Sequence, residues 1–273
     1  DIASLVLICF PFLIAANTNG IFECLEKGAE YIHWDEKRKA YQNQTGDIRR
    51  GVGMALFSYK TGVWPISLEI AGARLSLNQD GSVQLQVGAT EIGQGADTVF
   101  SQMAAETLHM DISRVHIVTQ QDTDVTPFDT GAYASRQSFV TGTAVKECAQ
   151  QLKQKILEYA RTLVPGNVDR LELEDGYILA DGKPAISLED LAMESYYSLS
   201  NSSVLTAEVS RQVKKNTVAS GCCFAEVEVD MKLGKIKVLD IVNVHDSGTL
   251  LNPQLAAMQV HGGMFMGIGY GVS

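Results

Sequence analysis

Paired cysteines, histidine clusters, basic blocks and long apolar runs are all missing from this sequence, and each absence removes a class of function. The five cysteines, Cys9, Cys24, Cys148, Cys222 and Cys223, are odd in number and scattered, with no C-x-x-C pair. That pattern argues against a disulfide framework or a zinc site and reads as reduced thiols, some buried as small hydrophobes. Cys222 and Cys223 are neighbours in an expected strand and so point to opposite faces. None of the five histidines (His33, His109, His116, His245, His261) stands at H-x-x-x-H or H-E-x-x-H spacing, so no protein-ligated metal is expected. A hydrolase reading from Ser135, His245 and Asp246 lacks a G-x-S-x-G elbow, and adjacent side chains on a strand diverge. Lys and Arg number 22 against 32 Asp and Glu, a net charge of −10 with no basic block, which argues against nucleic acid. The apolar stretch 2–16 is interrupted by Pro11, falls short of the roughly 20 residues of a spanning helix, and has no basic region before it. Neither a membrane span nor a signal peptide is expected, but a segment buried against a neighbouring domain. The chain does not begin with Met, which suggests a piece of a longer polypeptide.

What remains is a soluble, acidic chain of 273 residues with 45% hydrophobic content, long enough for a sizeable core. Ile21, Leu25, Ala29 and Ile32 recur at helical spacing, and a polar connector follows over 33–50. Ala73, Leu75 and Leu77, then Asn78-Gln79-Asp80-Gly81, then Val83, Leu85 and Val87, spell a hairpin. Residues 96–108 read as a helix, 115–118 as a strand and 142–163 as an amphipathic helix bearing Val145, Leu152, Ile156, Tyr159 and Leu163. After Pro165-Gly166 come a hairpin pattern, a capping box at Ser187 and a loop-like stretch. The final hairpin alternates Ala225, Val227 and Val229 with Glu226, Glu228 and Asp230, giving it one wet face. Hairpins mixed with isolated helices indicate an α+β fold, with mixed and antiparallel sheets packed with helices. The expected division is 1–50 (apolar segment, helix and connector), 51–165 (a first α+β lobe) and 166–273 (a second).

Three segments can carry chemistry. The first, 88–98, holds Gly93-Gln94-Gly95 where a strand hands over to a helix. Glycines permit close approach, the helix amides favour an anion, and Gln94 both donates and accepts. The second, 127–138, clusters small residues and hydroxyls with Arg136 and Gln137, a rim for a phosphorylated ligand. The third runs from His245 to Gly269, with Gln259 heading a glycine-rich helix. Each also has a structural alternative: a connecting turn, a helix-capping loop, and tight helix packing. Spacing alone leaves the first open, since no nucleotide fingerprint is met, and favours the structural alternative for the second and third, Gln259 excepted.

Taken in order, GSVQLQVGATEIGQGADTVFSQMAAETL, DTDVTPFDTGAYASRQSFVTGTAV, FAEVEVDMKLGKIKVLDIVNVHDSGTLLNP and QVHGGMFMGIGYG resemble the molybdenum hydroxylases. The likeness is to the molybdopterin-binding subunits or domains of xanthine dehydrogenases and aldehyde oxidases, and it extends from about Gly20 to Ser273. It implies a molybdopterin-binding domain of that type. Its cofactor contacts map to Ile92, Gly93 and Gln94, to Ala134, Ser135, Arg136 and Gln137, and to Gln259. It implies Mo–molybdopterin, as the bare pterin or its cytosine dinucleotide, with iron–sulfur centres and FAD on other domains or subunits. Such enzymes insert water-derived oxygen into a purine or aldehyde carbon, with a glutamate as base, in a cytoplasmic assembly that includes homodimers. No catalytic residue is assigned here, because the family glutamate lies in a G-x-G-E segment that maps beyond Ser273; Glu91 does not match it. The chain then reads as a cofactor-binding portion, inactive alone. The alternatives are a non-catalytic structural or interaction relative and an aldehyde oxidase-type subunit.

Overall fold

In the computed structural model, which describes residues 20–166 and 168–273, the sequence patterns become six α-helices and ten strands among the described residues. In chain order these are α1 (Ile21–Ile32), α2 (Trp34–Ala40), β1 (Ile48–Thr61), β2 (Ile70–Leu77), β3 (Val83–Val87), α3 (Ala96–Leu108), β4 (Val115–Ile117) and α4 (Gln137–Leu163). Then follow β5 (Leu171–Glu174), β6 (Tyr177–Ala180), β7 (Lys183–Ser187), α5 (Leu188–Tyr197), β8 (Thr206–Gln212), β9 (Thr217–Asp230), β10 (Lys235–Asp246) and α6 (Pro253–Val272). The apolar stretch 2–16, with Cys9, lies outside the described residues. No helix among the described residues is long and apolar enough to cross a membrane.

The chain divides into two compact units, and the division differs from the expected lobes. One unit is Gly62–Lys215; the other joins the described part of Asp1–Thr61 to Asn216–Ser273. Pairing causes this. β8 returns antiparallel to β2, Ala73 opposite Val209, and β9 returns along all of β1, Met54 opposite Phe224. Boundaries drawn along the sequence cannot show such closures.

In the unit formed by the chain's two ends, β9 lies between β1 and β10, antiparallel to both. The helix α1 covers the sheet through Cys24, Leu25 and Ile32, packed on Val52, Cys222 and Phe224. A Cβ at Gly28 would stand 2.3 Å from the Phe224 ring, so only glycine lets this helix lie flush. The buried face of β9 therefore carries Cys222, Phe224 and Glu226, whereas Ala225, Val227 and Val229 are only half-buried. Glu226 is tolerated inside because Lys37 Nζ and Tyr41 Oη each donate to its carboxylate at 2.6 Å. Those donors hold its pKa down. The expected polar connector thus contains a helix, α2. Asp35 and Glu36 in its first turn and Lys37, Arg38 and Lys39 in its last oppose its dipole.

The central unit builds its main sheet in the order β4-β3-β2-β8, antiparallel except for β4 against β3. The turn at Asn78–Gly81 closes as its composition predicts: Asp80 Oδ1 accepts from Ser82 N at 2.9 Å and Gly81 sits at φ +72°. Alternate residues Leu75, Leu77 and Leu85 bury fully with Phe100 and Leu108 of α3 and Leu152 and Ile156 of α4. A small antiparallel sheet, β5-β6-β7, leads into α5, whose N-cap Ser187 accepts from Asp190 N at 3.0 Å. The strand β8 stood in no sequence reading. The architecture is the expected α+β, with mixed and antiparallel sheets.

Candidate functional site

The first two glycine-bearing segments meet in the central unit. Residues 88–95 leave β3 and enter α3, and residues 127–136 enter α4. At Gly88 a Cβ would stand 2.1 Å from the Pro127 carbonyl oxygen and 2.8 Å from Asp129 N. The two loops pack backbone to backbone there, which only glycine permits.

The start of α3 is closed by its own loop. Glu91 Oε1 accepts from Gly93 N at 2.7 Å and Gly95 N at 3.0 Å, and Oε2 accepts from Asp97 N at 3.1 Å. Burial opposes the Glu91 charge, but the amides of Asp97, Gly95, Gly93 and Gln94 outweigh it and hold the carboxyl below its usual range. Asp97 moves the other way, raised by burial and by the charge on Glu91. Three amides at this start, those of Gly93, Gly95 and Asp97, are therefore already taken by a protein carboxylate, which narrows what the segment can offer an anion.

Gln94 also turns inward. Its Oε1 accepts from Ile92 N at 2.7 Å, while Nε2 donates to Thr90 O at 3.0 Å and to Gln137 Oε1 at 2.5 Å. Gln137, the first residue of α4, donates in turn to Thr90 O at 3.2 Å. The two glutamines thus tie the loops together. Ile92 projects outward, and a Cβ at Gly93, at φ +99°, would meet no atom within 4 Å.

The start of α4 is open. Its N-cap position is Arg136, and no side chain caps it. Ala134 and Ser135 just before it both adopt left-handed conformations, at φ +48° and +54°. Arg136 itself is fully buried. Its Nε donates to Glu69 Oε2 at 2.5 Å, Nη1 to Asp129 Oδ1 at 2.5 Å and to Gly131 O at 2.9 Å, and Nη2 to Ile70 O at 2.7 Å. Burial alone lowers a guanidinium's pKa, but Glu69 and Asp129 outweigh it and raise this one. So the structure brings Ala134, Ser135 and Gln137 to the open helix start and turns the Arg136 side chain away into the protein. Glu69 and Asp129 were assigned no role by sequence. Glu69 gives no local signal, whereas Asp129-Thr130-Gly131 carries the turn pattern in which Asp129 Oδ1 accepts from Gly131 N at 2.8 Å.

Gln259 belongs to the other unit, exposed on α6, whose start is capped by Asn252 Oδ1 accepting from Leu255 N at 3.0 Å. Tight packing of the glycines is expected there, yet none of Gly262, Gly263 and Gly267 has an atom within 4 Å of a built Cβ among the described residues. In the same unit, His245 packs tilted against the Phe57 ring, with centroids 4.8 Å apart, and burial pulls its pKa down. Burial pushes the thiols of Cys148 and Cys222 up to about 11, which keeps them protonated and inert at neutral pH. No group of three His, Cys, Asp or Glu able to hold a metal occurs among the described residues.

Known proteins share this chain's sequence and fold. Residues 27–273 match the family described as the molybdopterin cofactor-binding domain. The chain is 50% identical over 254 residues to the putative xanthine dehydrogenase molybdenum-binding subunit XdhA of Escherichia coli K12, covering 92% of this chain and 34% of that protein. It is 32% identical over 251 residues to the probable hypoxanthine oxidase XdhD of the same strain, covering 92% of this chain and 25% of that protein. Among solved structures, quinoline 2-oxidoreductase from Pseudomonas putida 86 shares the fold, with a TM-score of 0.76 at 22% identity over 88% of this chain and 32% of that one. The chain thus spans about a third or less of the length of the relatives it matches.

Proposed function

The chain belongs to the molybdopterin cofactor-binding domain family, and from that membership we propose that it is the part of a xanthine dehydrogenase-like molybdenum hydroxylase that helps hold Mo–molybdopterin. The likeness to XdhA, at 50% identity over 92% of this chain, carries the reading. The bound cofactor supplies the molybdenum centre at which water-derived oxygen enters a purine or related N-heterocycle. It is present as the bare pterin or as its cytosine dinucleotide.

The residues present suit such a group. The head of α4 offers donors: the Gln137 and Ser138 amides under no side-chain cap, and the exposed hydroxyl of Ser135, which can donate. A phosphate oxygen needs donors of this kind, and the helix dipole favours its charge. Ala134 and Gln137 frame that start. Ile92 and Gly93 present an outward edge, with Gln94 fixing its shape through the bond to Gln137. Arg136 acts by position alone, because its side chain and its backbone N–H and carbonyl are all bonded within the protein. For Gln259, in the other unit, a cofactor contact rests on the family resemblance alone. The general base, iron–sulfur centres and FAD come from other domains or subunits, in a cytoplasmic assembly that includes homodimers. The 273-residue chain alone is inactive.

The test is molybdenum and pterin analysis of the purified full subunit in its enzyme. Stoichiometric cofactor with purine oxidation is expected, and replacing Gln94 or Gln259 by Ala lowers occupancy. Full occupancy in both variants retires those contacts. Oxidation of aldehydes without purines moves the chain to the aldehyde oxidase class.

A further inference from the structure

Arg136, Glu69 and Asp129 form a buried charged cluster whose side chains the proposed function does not use, and it adjoins a strained stretch of backbone in the central unit. Two successive residues with side chains, Ala134 and Ser135, occupy the left-handed region at φ +48° and +54°. A Cβ makes that region costly, and such strain persists only where surrounding structure imposes it. Arg136 follows directly, and its guanidinium is drawn into the protein by four hydrogen bonds.

Each acceptor is anchored in turn. Glu69 takes Val63 N on its second oxygen at 2.5 Å, and its carbonyl accepts from Val213 N at 2.8 Å. The second carboxylate oxygen of Asp129 takes the Thr141 hydroxyl at 2.7 Å, and Asp129 bridges to Ala71 of β2. On the near side, Gly62 N donates to Ala134 O at 2.8 Å. The strained pair is thus pinned at both ends to groups held by the sheet and by α4.

We infer that Glu69, Asp129 and Arg136 are positioning residues: a buried clamp that holds Ala134-Ser135 left-handed so that the donors at the head of α4 face the cofactor. The inference rests on the cofactor-binding reading above. A buried ionic cluster is a weak device for stability alone, since apolar side chains of similar volume do as well, but it fixes one geometry. The clamp is distinct from the Lys37–Glu226–Tyr41 cluster of the other unit, whose residues keep φ below zero.

The experiment measures molybdenum and pterin content of the whole enzyme, with its thermal midpoint followed in parallel. Arg136→Lys keeps the charge but loses the fork, and roughly tenfold lower occupancy is expected. Glycine adopts the left-handed region freely, so adding Ala134→Gly, which removes no donor, to Arg136→Lys restores much of the loss without restoring the thermal midpoint. Glu226→Gln, a control in the other cluster, leaves occupancy unchanged. If Arg136→Lys yields no folded enzyme, Thr141→Val takes its place: it removes one bond to Asp129 and lowers occupancy by roughly twofold or more, again reversed by Ala134→Gly. A fully loaded Arg136→Lys or Thr141→Val enzyme, or a loss that Ala134→Gly does not reverse, overturns the clamp while leaving the cofactor reading intact. Wild-type enzyme free of molybdopterin removes that reading and the clamp's purpose together.

Discussion

Two helices of the central unit, α3 and α4, start from loops that pack on each other, yet they treat their unpaired amides in opposite ways. At α3 a carboxylate from the same loop, Glu91, takes three amides and supplies the negative charge the dipole favours. At α4 the preceding residue is an arginine turned inward, no side chain caps the helix, and two left-handed residues stand before it. The contrast shows why glycine content is a poor guide to where an anion binds. The loop richer in glycine satisfies itself. The loop that leaves its donors open does so through a buried network supplied by distant parts of the chain.

The largest way to break the contrast is to empty the network. Arg136→Met leaves Glu69 and Asp129 buried without their cation, and a loss of about 3–5 kcal/mol is expected in urea unfolding of the full subunit. A loss under about 1 kcal/mol would mean that the two carboxylates find other donors, and the open start of α4 would need another cause. Next is the seam between the loops. Gly88→Ala drives a methyl into the Pro127 carbonyl, 2.1 Å away in the unrelaxed structure. The nearest atoms are two backbone atoms and the Asp129 Cβ, none at the end of a flexible side chain, so about 1–3 kcal/mol is expected, read in the same unfolding curve. A smaller cost would show that the loops separate easily.

How much of this was legible in the sequence depends on the reach of the interactions. The hairpin β2–β3, the span of α3 and the Ser187 cap were readable because neighbours in sequence decide them, through alternation, turn residues and a hydroxyl three positions from its amide. The helix α2 was missed because its charges resemble a solvated connector until Lys37 and Tyr41 are seen to reach Glu226. The buried face of β9 was misjudged for the same reason, since pairing across the unit lets a glutamate go inside. At the site, the presence of Gln94, Ser135 and Gln137 near one another followed from the family resemblance. The Arg136–Glu69 bond, which joins residues 67 positions apart, had no local trace.

Smaller in expected effect is the cap on α3. Glu91→Gln retains the shape and loses the charge, so about 0.5–2 kcal/mol of stability at neutral pH is expected to go. The sign with pH follows from the lowered pKa. A carboxyl whose folded pKa lies below its unfolded one stabilises above the unfolded value, and that contribution disappears as pH falls through the folded value. The gap between wild type and Glu91→Gln should therefore close on acidification through the carboxylate range, as followed by thermal melts over a pH series. A gap that widens in acid would contradict the capping role.

The smallest effect on stability is expected at the open start, where the comparison is sharpest. Ser135 is exposed, and its hydroxyl lies outside the network that seats Arg136. Ser135→Ala keeps a Cβ in the same left-handed conformation, so neither strain nor burial changes, and stability should move by less than about 0.5 kcal/mol. What the substitution removes is a donor beside the uncapped amides of α4, so molybdopterin content of the enzyme should fall while the thermal midpoint holds. Glu91→Gln should do the reverse, lowering the midpoint more than the occupancy. If Ser135→Ala instead lowers the midpoint and spares the cofactor, the two starts are alike in serving only their own helices, and the anion-binding role assigned to α4 has to be given up.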